Sequence, residues 1–350
     1  MPSRIAHDDE MNLNRYSRQA VYPEIGEQGQ RKLLQSKVAI VGVGALGTVA
    51  ANSLARAGVG FLRLIDRDYV ELSNLQRQTL YDENDATRNS PKAVAACRHL
   101  ANVNSEITLE PIVEEIDSGN IERLFDGIDL VLDGLDNWES RFLLNESCHK
   151  LVIPWIYCAA IGSQGMTMNI RHTKTSPCLQ CIVPPDADSN NAPSCATAGV
   201  LNMVTGMIAA VQSVEAVKIL IGSLKIREGL FVTNLWNNQF KTMPFAKNDD
   251  CLVCVHGRYE YLTRIKSASV KRLCGRNSIQ VTPSKPARME LATFAETLKK
   301  SGQVEVDSFM LQFDDGRHRI LLFPDGRAII ENAIDEMNAK SLYTEYIGGL

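Results

Sequence analysis

Residues 37–47, Lys-Val-Ala-Ile-Val-Gly-Val-Gly-Ala-Leu-Gly, decide the fold of this chain. The apolar run predicts a buried β-strand, and a helical pattern follows the glycines. In the sequence Gly-x-Gly-x-x-Gly, Gly42 allows a tight turn, Gly44 a close backbone approach to a ligand, and Gly47 close helix packing. The N–H groups at the start of the helix can bind an anion. The segment therefore predicts a nucleotide-binding loop.

A second predicted strand ends at Asp66, 19 residues after Gly47 (66 − 47). This is close to the spacing at which a carboxylate binds ribose hydroxyls in dinucleotide-binding proteins. The spacing does not distinguish NAD from ATP. A solvated aspartate at a strand end is the alternative interpretation of Asp66.

The residues after Asp66 favour a triphosphate. Asn74 and Arg77 lie on a polar loop, and Lys92 begins a helix directly after Pro91. Each alone is typical of a surface residue, but two cations and an amide at one sheet edge would offset the charge of phosphates. Asp136 follows a later strand and is the predicted Mg²⁺ ligand, because Mg²⁺ prefers carboxylate and phosphate oxygens.

The pattern of elements predicts an α/β fold: a Rossmann-like, mostly parallel sheet with an antiparallel extension. Strands and helices alternate from residue 37 to about 115, and later strands resemble hairpins. Residues 1–14 are expected to form a flexible arm and 15–256 the main domain. A helix-like linker at 257–272 leads to a small α+β module at 273–350.

Charge and hydropathy exclude several classes of partner. The net charge of −4 gives no general affinity for nucleic acid. The polar N-terminal residues lack the apolar region of a signal peptide. No apolar run is expected to reach the length of a membrane span, so a cytoplasmic protein without membrane partners is predicted.

Four of the nine cysteines form two Cys-x-x-Cys pairs, which are Cys178 with Cys181 and Cys251 with Cys254. Four thiolates from two such turns suit a structural zinc ion, which would clip a long loop shut. Thioredoxin-like redox chemistry is the alternative, but neither pair follows a first strand. Cys195 lies in a polar stretch, where a thiol is accessible for reaction.

The ordered motifs identify a resemblance. Arg15-Tyr-Ser-Arg18-Gln, the glycine loop, the stretch from Asp66 to Gln78, Pro-Lys92, Asp136-Asn with Arg141, the cysteine pairs and Cys195 occur in series. The chain resembles the ThiF/MoeB/HesA family of sulfur-carrier-protein adenylyltransferases, which are similar to ubiquitin-activating enzymes. Residues 14–256 carry the resemblance, and the C-terminal module looks like the extension of thiazole-type members. Leu135 and Ser194 replace threonines usual in the family.

The resemblance implies a homodimer in which Arg18 reaches the ATP site of the second subunit. Asn74, Arg77 and Lys92 would contact phosphates, Asp66 the ribose and Asp136 Mg²⁺. Arg141 would help to position the site. Cys195 matches a cysteine that joins the carrier covalently or assists sulfur transfer in some members.

The implied reaction is ATP-dependent adenylylation of the C-terminal glycine of a small ubiquitin-like sulfur carrier ending in Gly-Gly. A sulfur donor, such as a cysteine desulfurase or rhodanese-type protein, would then yield a thiocarboxylate for the thiazole of thiamine. The same reaction on the small subunit of molybdopterin synthase is the alternative. An NAD-dependent oxidoreductase and a non-catalytic, zinc-stabilised binding scaffold are alternatives from other classes.

Overall fold

The structure is a computed structural model that describes residues 13–183, 198–264, 268–272, 278–283, 289–307 and 309–348. The chain divides into two compact units. The first comprises the described residues up to Glu115 together with Gly119–Tyr261. The second comprises Ile116–Ser118 together with the described residues from Leu262 onward.

The first unit is built on an eight-stranded sheet of order β3-β2-β1-β4-β5-β6-β7-β8. Its strands are β1 (Lys37–Val41), β2 (Phe61–Ile65), β3 (Thr108–Ile112), β4 (Leu130–Asp133), β5 (Trp155–Ile161), β6 (Gln164–Ile170), β7 (Leu230–Asn234) and β8 (Gln239–Met243). The pairs from β3 to β5 are parallel, and those from β5 to β8 are antiparallel. The predicted Rossmann-like sheet with an antiparallel extension is confirmed.

Helices surround this sheet. They are α1 (Ser17–Ala20), α2 (Gly26–Gln35), α3 (Ala45–Ala57), α4 (Glu83–Thr87), α5 (Lys92–Val103), α6 (Ile121–Leu124), α7 (Trp138–Leu151) and α8 (Asn202–Ile221). The short helix α9 (Glu260–Thr263) contains the point in the chain where the first unit ends and the second begins. Helix α3 is alanine-rich, a composition that favours helix and lets it pack closely. It ends at Gly58, whose φ of +81° is readily adopted by glycine.

The strand order reverses at β1, which pairs with β2 on one side and with β4 on the other. In open α/β sheets, ligands bind at the carboxyl ends of the strands where the order reverses. The loops that follow these three strands begin with Gly42, Asp66 and Gly134. The fold therefore brings the glycine loop, Asp66 and the Asp136 loop to one edge.

Helix α8 corrects one expectation from the sequence. Its 20 residues are long and apolar enough to cross a membrane, although no such run was predicted. Half of its most apolar window is buried inside the protein. Ile208 and Ala209 pack there in a cluster with Leu46 of α3 and Cys158 of β5. Core helices pass the same test of length and composition, so the helix is weak evidence for a membrane span.

The second unit contains a six-stranded antiparallel sheet of order β11-β12-β13-β14-β10-β9. Its elements are β9 (Ser269–Arg272), β10 (Ser278–Thr282), α10 (Leu291–Leu298), β11 (Gln303–Val306), β12 (Leu311–Asp314), β13 (Arg319–Leu322), β14 (Ala328–Glu331) and α11 (Glu336–Tyr346). Buried side chains of α10 and α11, such as Leu298 and Tyr343, share one core with the sheet.

The helix-like linker that the sequence predicted is wrong in its second half. Among the described residues of the linker, Glu260–Thr263 is helical and Ser269–Arg272 is a strand. This strand pairs with β10, opposing Val270 to Val281, and Val270 packs against the core of the unit. Pairing with the next strand along the chain, and packing against the core, override the local helical preference.

Candidate functional site

The glycine loop is shaped by contacts between backbones. Gly42 has a φ of +86°, and a Cβ added there would lie 2.6 Å from the carbonyl oxygen of Gly134. A Cβ at Gly47 would lie 1.9 Å from the carbonyl oxygen of Gly42. Glycine is therefore required at Gly42 and Gly47, because another backbone segment lies where a side chain would be.

Gly44 differs from the other two glycines of the motif. A Cβ there would meet only the Gln78 side-chain amide, at 3.8 Å, which is an ordinary contact. Protein packing therefore does not require glycine here, whereas a ligand approaching the backbone would. Gly44 is also the residue before α3, whose first N–H groups attract anions. The cradle fits a nucleotide phosphate.

Asp66 holds this loop in place. Its Oδ2 accepts a hydrogen bond from the backbone N–H of Val43 at 2.7 Å, and its Oδ1 accepts one from Asp68 at 2.8 Å. Burial raises the pKa of Asp66 above its usual value, while the nearby Lys92 ammonium opposes that rise. The carboxylate thus stands beside the cradle, where the sequence predicted a ribose ligand.

Lys92 begins α5 and lies against the same loop. Its side chain is buried, with Nζ 3.3 Å from the Oδ2 of Asp68. The buried Tyr81 hydroxyl, 2.7 Å from the carbonyl oxygen of Val43, donates to that oxygen. It also lies 3.2 Å from the carbonyl oxygen of Lys92. Tyr81 therefore joins the glycine loop to the start of the lysine helix.

Asn74 and Arg77 lie on the short helical turn Leu72–Asn74 and the residues after it. Asn74 is buried, and its Oδ1 accepts a hydrogen bond from the backbone N–H of Glu71 at 3.3 Å. Arg77 is half-buried, and its Nη1 donates to the carbonyl oxygen of Ser73 at 2.9 Å. Both side chains are fixed to their own loop, which limits the directions they can face.

Asp136 is exposed on the loop after β4, and its Oδ1 accepts a hydrogen bond from Asn137 at 3.3 Å. Arg67 is the cation beside it. Burial alone would lower the pKa of Arg67, but Glu115, Asp68 and Asp136 together raise it. An exposed carboxylate at the carboxyl edge of the sheet can hold a divalent cation that bridges to phosphates.

Asp133 and Arg141 form a buried ion pair behind this loop. The Nε of Arg141 lies 2.9 Å from the Oδ2 of Asp133, and its Nη2 donates to the carbonyl oxygens of Leu135 and Cys158. Asp133 also accepts from the backbone N–H of Leu135 at 2.8 Å. Burial alone would lower the pKa of Arg141, but Asp133 raises it above its usual value. The pair positions the loop that carries Asp136.

One predicted residue, Arg18, is not brought to this edge. Arg18 is exposed on α1, whose Gln19 donates to the carbonyl oxygen of Ala57 at the far end of α3. A helix of 13 residues is about 20 Å long, so Arg18 lies far from the cradle of its own subunit. Cys195 lies outside the described residues.

The four predicted metal ligands form a cluster. The Sγ atoms of Cys178, Cys181, Cys251 and Cys254 all lie within 4.8 Å of one another. Neighbouring sulfurs are 3.4, 3.6 and 3.9 Å apart. Zn–S bonds of about 2.3 Å in a tetrahedron would separate the sulfurs by about 3.8 Å. The backbone N–H of Asn248 points to the Sγ of Cys181 at 3.5 Å. The donor set and its size fit zinc.

Sequence reasoning missed several residues at the carboxyl edge. Asp68, the partner of Lys92, stands two residues after Asp66 and could have been found as a second carboxylate at the strand end. The contacts of Tyr81, Gln78 and Gly134 join segments that are distant in sequence. Gln78 ends the motif that begins at Asp66 and could have been found there, whereas no local signal marks the contacts of Tyr81 and Gly134.

Comparison with known proteins bears on this site. The model of the ThiF family matches residues 16–253. The chain belongs to the ThiF family. The matched range includes the glycine loop, the Lys92 helix and three cysteines of the cluster, and it ends one residue before the fourth, Cys254.

Curated relatives of this ThiF-family chain include adenylyltransferases. The sulfur carrier protein ThiS adenylyltransferase of Bacillus subtilis is 36% identical over 337 residues, covering 95% of this chain and 99% of that protein. The molybdopterin-synthase adenylyltransferase of Escherichia coli is 37% identical over 251 residues, covering 71% of this chain and 99% of that protein.

Solved structures support the fold of this ThiF-family chain. The structure of E. coli MccB with ATP matches with a TM-score of 0.61 at 23% identity. The match covers 69% of this chain and 75% of that one. At this identity the likeness shows a shared fold.

Proposed function

We propose that this chain transfers the adenylyl group of ATP to the C-terminal glycine of a small ubiquitin-like sulfur carrier. The proposal is supported by one sheet edge that holds the open cradle at Gly44, the loop of Asp136 and the strand end before Asp68, which Lys92 contacts. Arg77 is the chain neighbour of Gln78, whose amide borders Gly44. Family membership and adenylyltransferase relatives that match over nearly their full length support the same reaction.

The chemistry requires positioning and charge more than proton transfer. A glycine carboxylate is already ionised at neutral pH, so it can attack the α-phosphorus of ATP without a general base. A bond forms between its oxygen and that phosphorus, while the bond to the bridging oxygen breaks and pyrophosphate leaves with the electron pair. Lys92, Arg77 and the start of α3 would offset negative charge on the phosphates.

The side chains at the edge suggest how Mg²⁺ and the nucleotide would be bound. Bound Mg²⁺ would offset phosphate charge, and Asp136 offers it an exposed carboxylate. Asp66 stands at the side of the cradle, where it would take the ribose hydroxyls, and Asn74 would contact phosphates from its loop. Arg141 acts through the Asp136 loop and is a positioning residue.

Zinc is the proposed occupant of the four-cysteine cluster, with a structural role. All four ligand positions of a tetrahedron are supplied by the protein, which leaves no position for a reactant. A cluster of reduced thiols suits a reducing compartment. The proposed location is the cytoplasm.

The thiazole pathway of thiamine is favoured over the molybdenum cofactor pathway. The match to the ThiS adenylyltransferase spans 95% of this chain, and so extends into the C-terminal unit. The molybdopterin-synthase enzyme is matched over 99% of its own length but spans only 71% of this chain. Residues 15–256 would therefore form the adenylyltransferase domain, and 273–350 a module shared with the thiazole type.

A homodimer completes the proposed machinery. Because Arg18 lies next to Gln19, which contacts the end of α3 far from the cradle, it would enter the ATP site of a second subunit. Cys195 would take part when the adenylylated carrier meets the sulfur donor, a cysteine desulfurase or rhodanese-type protein. Neither an oxidoreductase nor a binding scaffold is supported by the relatives, which are named adenylyltransferases.

The proposal is tested by incubating the protein with ATP and Mg²⁺ and with either a thiazole-pathway carrier or the small subunit of molybdopterin synthase. Mass spectrometry of the carrier is expected to show an added adenylyl group on the thiazole carrier, with pyrophosphate released in equal amount. A carrier that lacks its last glycine is the control. Adenylylation of neither carrier would contradict the proposed reaction, and preference for the molybdopterin carrier would reverse the pathway.

A further inference from the structure

Gln78 is one of the buried polar residues whose side chain includes an atom without a hydrogen-bond partner among the described residues. Its side chain also borders Gly44 of the nucleotide cradle. Its side chain is buried, with the residue 4% exposed. Within the described residues its Oε1 is buried and accepts no hydrogen bond. Such a group weakens a fold, and an apolar side chain of similar size would serve packing better. Stability does not explain glutamine at this position.

The other end of the same amide faces the nucleotide cradle. Apart from Gly44 and its two chain neighbours, the Nε2 of Gln78 is the only atom of the described residues within 4 Å of the point where a Cβ of Gly44 would lie, at 3.8 Å. It therefore borders the open space over Gly44, at the start of α3. An amide N–H donor in this place complements an oxygen anion held by the helix start.

We propose that Gln78 donates a hydrogen bond from its side-chain amide to a phosphate oxygen of the bound nucleotide. The inference rests on the proposed function and adds a ligand-binding residue to it. Lys92 and Arg77 supply charge, whereas Gln78 supplies a neutral donor of fixed direction. Its orientation is set by burial, and its backbone N–H is fixed by a 3.0 Å hydrogen bond to the carbonyl oxygen of Asn74.

The test compares Gln78→Leu with wild type in two measurements. Calorimetric titration with ATP and Mg²⁺ is expected to show affinity reduced roughly 10- to 100-fold, as for loss of a hydrogen bond to a charged group. Adenosine, measured by displacement of a fluorescent ATP analogue, is expected to keep its affinity because it has no phosphate. The Tm without nucleotide is expected to stay the same or rise.

Two further variants complete the design. Gln78→Glu places a negative charge near the phosphates and is expected to weaken ATP binding more than Gln78→Leu does. Gln76→Leu is the matched control, because Gln76 is exposed on the same loop, and it is expected to bind ATP like wild type.

Three results would overturn the assignment of Gln78: unchanged ATP affinity in Gln78→Leu, an equal loss of adenosine affinity, or a clear fall in Tm. Failure of the wild-type protein to bind ATP would instead contradict the proposed function itself. The two failures are therefore distinguishable.

Discussion

The carboxyl edge of the parallel strands and the four-cysteine cluster are both sites of polar chemistry, but they are built in opposite ways. At the cluster, four sulfurs lie at the spacing of a tetrahedron and supply every position a metal needs. At the edge, the protein leaves open space at Gly44, an exposed Asp136 and the side-chain amide N–H donor of Gln78 bordering that space. The cluster is complete within the chain, whereas the edge is completed by a ligand.

This difference separates effects on stability from effects on activity. A residue of the cluster should matter first for folding, since metal bound only by the native state stabilises it. A residue at the edge should matter first for nucleotide binding and turnover. The predictions below begin with the largest expected effect.

Removal of the metal should destabilise the first unit most. Replacement Cys251→Ser, or a strong chelator, is expected to lower stability by about 4 kcal/mol or more, about 10 °C in Tm. Zinc content by mass spectrometry and Tm by calorimetry are the measurements. Cys97→Ala, which changes a buried thiol outside the cluster, should keep the zinc. Absence of bound zinc in the purified wild type would remove the structural metal from the protein.

Loss of Asp136 should abolish activity while sparing the fold. Asp136→Ala is expected to reduce carrier-dependent pyrophosphate–ATP exchange about 1000-fold or more, which is about 4 kcal/mol. Tm should change little, because the side chain is exposed and accepts a hydrogen bond only from its neighbour Asn137. Asp126→Ala, an exposed aspartate before β4, is the matched control. Full exchange by Asp136→Ala would exclude Asp136 from the reaction.

Loss of Asp133 should reduce both stability and activity, because Asp133 pairs with the buried Arg141 and supports the loop that carries Asp136. Asp133→Ala leaves the buried Arg141 without its counter-charge and is expected to cost about 3 kcal/mol in urea unfolding. Exchange activity should fall as well, since the Asp136 loop loses its support. A variant with wild-type stability would show that the ion pair does not hold the loop.

The smallest expected effects come from Gly44 and Gly42, where substitution should affect ATP binding at the first and stability at the second. Gly44→Ala is expected to weaken ATP binding about 10-fold with unchanged Tm, because a methyl group fits the protein but fills ligand space. Gly42→Ala is expected to lose about 1–3 kcal/mol of stability, because it combines a positive φ with a collision at Gly134. Titration with ATP and thermal unfolding of both variants are needed. Equal effects of the two variants on both properties would contradict the comparison.

The sequence predicted those features that depend on the order of elements along the chain. Alternating strands and helices place the residues after β1, β2 and β4 at one edge, so Gly42, Asp66 and Asp136 could be grouped in advance. The metal cluster followed from the chemistry of paired cysteines, although 69 residues separate Cys181 from Cys251 (251 − 181 − 1). The order of strands and helices and the type of metal ligand can both be read from the sequence without knowledge of tertiary contacts.

Features that depend on tertiary contacts between distant segments of the chain could not be predicted. The hydroxyl of Tyr81 contacts Val43, 38 positions away, and its own surroundings in sequence give no sign of this contact. The role of Gly44 also differs from that of Gly42 and Gly47 only in what surrounds it.

Gly42 and Gly134 touch backbone to backbone, since a Cβ at Gly134 would lie 2.2 Å from the carbonyl oxygen of Gly42. The glycine loop and the loop that carries Asp136 are therefore in direct backbone contact, and the space between them has no room for a side chain from either loop. Substitutions can accumulate at the rim of the pocket, but Gly42 and Gly134 cannot be replaced by a residue with a side chain without moving the backbone. Any attempt to widen the pocket for a bulkier nucleotide must therefore begin elsewhere.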